Sequence, residues 1–307
     1  MYENFYRLTA KPFSVTPDPR FLFLSESHKE ALANLLYGIQ ERKGFILLTG
    51  EVGTGKTTLI HTLLARMEEG TRTAFIFNTR LGPRDFFRYM FEEFGIPGEP
   101  RSKSESLIAL NHFLIDRLRK QQNTVLIVDE AQNLSPVLLE EIRLLSNLET
   151  PTEKLIQILL VGQPELSGKL SLPELRQLRQ RISVRYHIQP LSLEETRAYV
   201  IERLRIAGNP YDRIFDEAAL EAVYRMSGGI PRLVNLVCDA ALLAGFARGE
   251  KSIDATLVRE AVVDLELETI PRGAPGGGWR GGLRRGWHRF ASLFQPPEGQ
   301  ASSSRRL

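Results

Sequence analysis

One cysteine, Cys238, stands among the 307 residues of this chain, so no disulfide can form within it. It lies in VNLVCDAALL, an apolar helical run in which a thiol is expected to be buried and inert rather than nucleophilic. No stretch of 18 or more apolar residues occurs, which excludes a helix long enough to cross a bilayer. The start, MYENFYRLTAKPF, lacks the basic stretch and apolar core of a signal peptide. A cytoplasmic chain is therefore expected. A large net charge is missing too, since the sum is only +3. That small value hides an uneven split. Residues 272–307 carry seven arginines against one acid, Glu298, whereas residues 1–271 carry 33 basic and 36 acidic side chains, a net of −3. A body with no positive excess is not a nucleic-acid binder by charge.

What is present reads as ordinary globular protein, 42% apolar and 25% charged, with a length that suggests about two domains. From Gly44 to Gln189 short β-rich runs alternate with helical patterns, the mark of a parallel sheet covered by helices. The expected strands are 45–49, 73–78, 124–129, 155–162 and 183–188, several of them nearly all apolar, as expected of strands buried on both faces. Helices are expected near 56–68, 83–94, 104–121, 135–148 and 173–181, with Ser135 capping a helix that opens on Pro136. Beyond Pro190 the β signal stops, and four amphipathic helices fill about 191–270. Ser192 and Glu195 form a capping box for the first of these, and Asp216 and Asp254 suit the caps of the second and fourth. After Pro271 a Gly-, Pro-, Ser- and Arg-rich composition cannot build a core, so 271–307 reads as a flexible tail. Within it Leu283, Trp287, Phe290 and Phe294 recur at helical spacing among Arg284, Arg285, His288 and Arg289. The amphipathic segment 283–294 is read as folding on a partner or an anionic membrane.

The chemistry begins where the first strand ends. Gly50, Glu51, Val52, Gly53, Thr54, Gly55, Lys56 and Thr57 spell G-x-x-x-x-G-K-T between a strand and a helix, the context this motif requires. Its glycines let the backbone wrap phosphate oxygens, so that amide N–H groups and the helix start, including Thr58, face the anion. Lys56 is expected on the β- and γ-phosphates and Thr57 on Mg²⁺. The third strand ends in Asp129 and Glu130. An aspartate there can hold the Mg²⁺ shell, and the following glutamate can orient and deprotonate the attacking water. Glu130 is what argues for hydrolysis over mere binding. Gln163 leaves the fourth strand at its carboxyl end, where ligands sit in open parallel sheets, in reach of the γ-phosphate or the water. In LRQLRQRISVRYHI the ordinary reading of the arginines is a solvated basic face. An arginine just before the last strand is also well placed as a finger toward a neighbour's γ-phosphate, with Arg181 the first choice and Arg179 the second. In SGGIPRLVN, Arg232 either is an exposed residue at a helix entry or senses the γ-phosphate from the helical domain.

With these residues placed, the chain resembles an AAA+ ATPase and, more narrowly, the ATPase domain of the general secretion pathway protein A (ExeA-type) family. The stretches that carry the resemblance run from MYENFYRLTAKPFSVTPDPRFLFLSESHKEALANLLYGI through GFILLTGEVGTGKTTL, VDEAQNLSPVLLEEIRLLSNLET, LLVGQPEL and LRQRISVRYHIQPLSLEET to SGGIPRLVN. Together they cover about residues 1–270. ATPases of exopolysaccharide and protein-sorting loci, and ATPase subunits of some DNA transposons, look similar. The resemblance implies an α/β P-loop NTPase with a five-stranded parallel sheet ordered 5-1-4-3-2, helices on both faces and an all-α four-helix lid. The implied domains are an N-terminal segment 1–43 flanking the adenine pocket, with Phe13 and His28 beside the base, a nucleotide-binding core 44–190 and a lid 191–270. ATP and Mg²⁺ are the implied cofactors. Lys56, Thr57, Asp129 and Glu130 take their motif roles, Gln163 is sensor-like, Arg181 finger-like and Arg232 the lid sensor, in ATP-promoted homo-oligomers.

Members of that family continue into a membrane span and a peptidoglycan-binding part. Neither occurs in these residues, so the expectation is a motor facing the cytoplasm, peripheral at the inner membrane, that docks on an envelope or inner-membrane secretion component, with 283–294 the docking element. Two readings of its work stand. One is an ATPase powering or regulating assembly of an envelope secretion or exopolysaccharide export system. The other is an ATP-switched, DNA-binding regulator of transposition type, against which the acidic body counts. A helicase would need a second P-loop-like core, and none follows residue 190. An ABC-type ATPase would need its SGG signature ahead of the Asp-Glu strand, but here SGG falls at 227–229. A small GTPase would need N-K-x-D, which is absent.

Overall fold

A computed structural model describes residues 1–264 apart from 15, 17, 78–80, 99–101 and 210–213. The tail 271–307, with its amphipathic segment 283–294, lies outside the described residues.

After a short N-terminal helix α1 (Tyr2–Phe5) come α2 (Glu26–Gln40), β1 (Phe45–Gly50) and α3 (Lys56–Arg66). Then follow β2 (Arg72–Ile76), α4 (Pro83–Phe94), α5 (Lys103–Arg119), β3 (Thr124–Val128), α6 (Pro136–Leu145) and β4 (Gln157–Gly162). The core closes with α7 (Pro164–Leu170), α8 (Arg176–Arg181) and β5 (Ile182–Ile188). The five strands pair in parallel in the order β2-β3-β4-β1-β5. This is the expected 5-1-4-3-2 order read from the other edge.

The central strands β1, β3 and β4 are buried at every position because both faces are covered. Alternate residues serve alternate layers. Leu47, Leu126, Val128, Ile158 and Leu160 face α4 to α8, packing with Phe86, Met90, Phe94, Leu110, Leu139 and Ile142. Ile46, Leu48, Val125, Ile127, Leu159 and Val161 face α2 and α3, packing with Leu32, Leu35, Leu59, Ile60 and Leu63. β2 and β5 are the edges, and their burial breaks up accordingly.

Four helices follow the sheet, namely α9 (Leu193–Ile206), α10 (Glu217–Ser227), α11 (Pro231–Arg248) and α12 (Ala255–Asp264). The capping box of Ser192 and Glu195 is formed, and Asp216 and Asp254 accept from the backbone N–H groups of Ala219 and Leu257. The N-terminal residues pack here rather than on the sheet. Tyr2, Tyr6, Leu8, Phe13 and Phe21 share one core with Val200, Leu220, Val234, Val237 and Cys238. Arg203 fastens this strap, its guanidinium over the Phe21 ring and bonded to the Pro12 carbonyl and the Tyr199 hydroxyl. Tyr2 adds a hydroxyl bond to Asp239.

Several boundaries differ from the sequence expectation by a few residues, two of them for local reasons. The helix expected over 173–181 is a 3₁₀ turn, Pro173–Leu175, followed by α8, because Pro173 and Glu174 can start a helical turn but the chain re-enters the helix at Arg176. The strand expected from 155 begins at Gln157, since the Leu155 N–H is taken by the Leu148 carbonyl in the preceding turn.

Candidate functional site

The candidate site lies at the carboxyl ends of β1, β3 and β4, where an open parallel sheet leaves its crevice. The bend from Gly50 to Gly55 turns through left-handed backbone at Gly53 (φ 84) and Gly55 (φ 93), and Gly55 is the residue from which α3 starts. The Thr54 hydroxyl donates to the Glu51 carbonyl at 2.8 Å and closes the bend internally. Lys56 is buried, and its Nζ donates to the carbonyls of Gly50 and Glu51 at 2.8 and 2.9 Å. Burial pulls its pKa below the ordinary lysine value, while Glu130, Asp129 and Glu51 work against the shift. Thr57 and Thr58 are exposed on the first turn of α3, on the open side of the bend.

The acidic half comes from the next two strands along. Asp129 is buried, and its Oδ2 accepts from the Thr57 hydroxyl at 2.9 Å. Burial pushes its carboxyl above the ordinary value, and the bonds from Thr57 and the Glu130 N–H pull it back. Glu130 sits in left-handed backbone, φ 51 and ψ 36. Such strain in a non-glycine residue persists only where its surroundings enforce it. Its carboxylate Oε2 accepts from Gln163 Nε2 at 3.1 Å and from Gln132 Nε2. Gln132 Oε1 in turn accepts the Gln163 backbone N–H at 3.1 Å. A Cβ on Gly162 would fall 2.7 Å from Gln132 Oε1, so the amide crosses the end of β4 only because that position is glycine. Lys169 holds the turn from beyond, donating to the carbonyls of Gln132 and Leu134.

Gln132 is a residue that sequence reasoning did not single out. The structure gathers Lys56, Thr57, Asp129, Glu130 and Gln163 at one end of the sheet and adds Gln132 to them. Arg232 joins from the helical domain, its backbone N–H donating to the Gly53 carbonyl at 3.2 Å while its residue is exposed at the start of α11. A second link runs from Glu195, whose carboxylate accepts both the Ser192 and the Glu26 N–H groups, joining α9 to the start of α2. Arg181 is engaged within its own chain, Nη1 donating to Asn147 Oδ1 at 2.7 Å and to Ser146 at the end of α6. Arg179 is exposed on the same short helix. Phe13 is 1% exposed and meets Phe215 edge-on inside the helical bundle, so the structure sets it among core side chains. His28 lies beneath the glycine-rich bend, on the Thr54 carbonyl.

The donor set fits magnesium. A hydroxyl and a carboxylate oxygen, Thr57 Oγ1 and Asp129 Oδ2, stand side by side, and both are the hard oxygen ligands this ion takes. Among the described residues no group of three or more His, Cys, Asp or Glu side chains could form a metal cage.

The AAA domain family profile matches residues 39–170. The chain is 46% identical over 287 residues to the general secretion pathway protein A of Aeromonas hydrophila, which takes in 92% of the chain and 51% of that relative. The chain belongs to the AAA+ family. It spans about half the length of the secretion-pathway relative. The same AAA+ fold is shown by Cdc6p from Pyrobaculum aerophilum, with a TM-score of 0.62 and 21% identity over 82% of this chain and 70% of that one. The ORC2 protein of Aeropyrum pernix agrees, with a TM-score of 0.61 and 20% identity over 85% of this chain and 72% of that one. Among the described residues no helix is long and apolar enough to cross a membrane.

Proposed function

We propose that this AAA+ protein hydrolyses ATP in a Mg²⁺-dependent reaction at sites shared between adjacent copies, and that it powers or regulates assembly of an envelope secretion or export system. The observation that carries the catalytic part is the Thr57–Asp129 contact beside Lys56, with the Glu130 carboxylate held one residue away by two amides. The bend presents backbone amides and the start of α3 to the phosphates, and Lys56 adds the positive charge. Thr57 and Asp129 would hold the ion, which would supply charge neutralisation on the phosphoryl oxygens. Glu130 takes the proton of the attacking water, and Gln132 and Gln163 fix the carboxylate that does so.

In a site of this kind an arginine from a neighbouring copy can complete the charge around the γ-phosphate. The end of α8 supports this reading, with Arg181 as first candidate. Because Arg181 already bonds Ser146 and Asn147, the exposed Arg179 is tested beside it. Whichever of Arg181→Ala and Arg179→Ala is inactive by itself is mixed with inactive Glu130→Gln protein. Recovery of phosphate release on mixing identifies the finger, and no recovery with either arginine variant sinks the shared site. The biological role rests on the secretion-pathway relative, and affinity capture of envelope proteins with and without ATP, and with 272–307 deleted, tests it. A salt-sensitive, ATP-dependent shift of duplex DNA would instead favour the transposition-type reading.

A further inference from the structure

His28 has no part in the chemistry above, yet it is 5% exposed and wholly engaged. Its Nε2 lies 2.8 Å from the Thr54 carbonyl oxygen in the glycine-rich bend. Its Nδ1 lies 2.6 Å from the Ser25 hydroxyl, which also accepts the His28 backbone N–H as the cap of α2. A carbonyl oxygen only accepts, so Nε2 carries the proton and Nδ1 accepts from Ser25. The neutral ring thus has a partner for each of its two nitrogens. Burial agrees, pulling the pKa below the usual imidazole value against the opposing pull of the Thr54 bond and Glu195.

We infer that His28 is a positioning residue of the phosphate site, holding the Thr54–Gly55 peptide so that the Gly55 amide faces the bound phosphates. This rests on reading the bend as a phosphate site. A trans peptide is flat and points its C=O and N–H in opposite directions. A Thr54 carbonyl drawn down onto α2 therefore turns the Gly55 N–H away from α2 and out of the bend. Among the described residues that N–H has no hydrogen-bond acceptor. Gly55 is required twice over. Its φ of +93° disfavours any side chain, and a Cβ there would stand 3.1 Å from His28 Nε2. The ring consequently stays against the backbone, one residue before Lys56.

The test compares three full-length variants with wild type, by competition of ADP and of adenosine against a fluorescent ADP. His28→Gln keeps an amide donor near the place of Nε2. His28→Asn is equally polar but one methylene short, and His28→Leu has no donor. His28→Asn and His28→Leu should weaken ADP by about tenfold, the effect of one lost hydrogen bond to a site of this kind, and leave adenosine within about twofold, since the nucleoside carries no phosphate. His28→Gln should recover most of the loss. Should His28→Leu fail to fold, the Asn and Gln pair decides alone. Equal loss of ADP and adenosine, unchanged ADP affinity in His28→Asn, or no recovery in His28→Gln would each overturn the inference. Wild type that binds no ADP would instead bring down the phosphate-site reading itself, and this inference with it.

Discussion

The two halves of the site are built by different means. The phosphate bend is held through its own backbone, since the carbonyls of Gly50, Glu51, Gly53 and Thr54 are taken by Lys56, the Arg232 N–H and His28. The acidic half is held through side chains, with Thr57 on Asp129 and two glutamine amides on Glu130. The contrast separates binding from turnover. On the proposed function, shape in the backbone would set how well a phosphate is gripped, and orientation of a carboxylate how fast water attacks. Changes to the first half should therefore move affinity, and changes to the second should move kcat.

The largest effect is expected from the side chain that fastens the bend and feels the charges of the acidic half. Lys56→Ala removes the buried charge at the bend and should weaken ATP by about 2–5 kcal/mol, the usual result of cutting one partner from a buried charged pair. Titration with ATP reads it. ATP affinity that stays put would break the contrast at its base. Next come Gln132→Ala and Gln163→Ala. Each should lower kcat by about ten- to hundredfold, as loss of a positioning partner commonly does, with KM within a few fold. A rise in KM with kcat intact would place these amides on the binding side instead.

Gly53→Ala probes the backbone half. Its left-handed φ and a Cβ 2.6 Å from the Arg232 Cβ should destabilise the protein by about 1–3 kcal/mol. The start of α11 must shift as well, so weaker ATP binding should accompany the lower thermal midpoint. The smallest effect concerns pH. Burial depresses the pKa of His28 in the folded state, so below about pH 6.5 the unfolded chain takes up a proton that the folded chain refuses. Stability should fall as pH drops through that value and be level above it. In denaturant titrations His28→Gln should lose less stability than wild type between pH 7.5 and 5.5. Parallel losses would mean that the ring is charged in the fold.

Much of this was legible in the sequence wherever local rules decide. The helix Pro83–Phe94 runs as expected because Pro83 starts it and Gly95, in left-handed backbone, ends it. Strand order followed from the resemblance, and the apolar runs of β1, β3 and β4 declared two buried faces. Residues whose role depends on distant partners stayed hidden. Gln132 was visible only as part of DEAQ, and its task comes from Gly162, thirty positions on. The docking of Tyr2, Tyr6 and Phe13 on helices some 200 residues away has no local signal. α2 did have one, since Ala31, Leu32, Leu35 and Ile39 share a face and Ser25 caps it. Arg181 is the converse case, since its motif position gives no sign of Ser146 and Asn147, which it meets in the fold.

The central claim is that this end of the sheet grips ATP through its bend and splits it through Glu130. Rapid mixing of Glu130→Gln protein with radiolabelled ATP and Mg²⁺, followed by filter capture and phosphate assay, tests it most directly. The expected result is one ATP retained per site with no phosphate released over the time wild type completes many turnovers. Phosphate released by the variant at the wild-type rate, or no retained ATP in either protein, would contradict it.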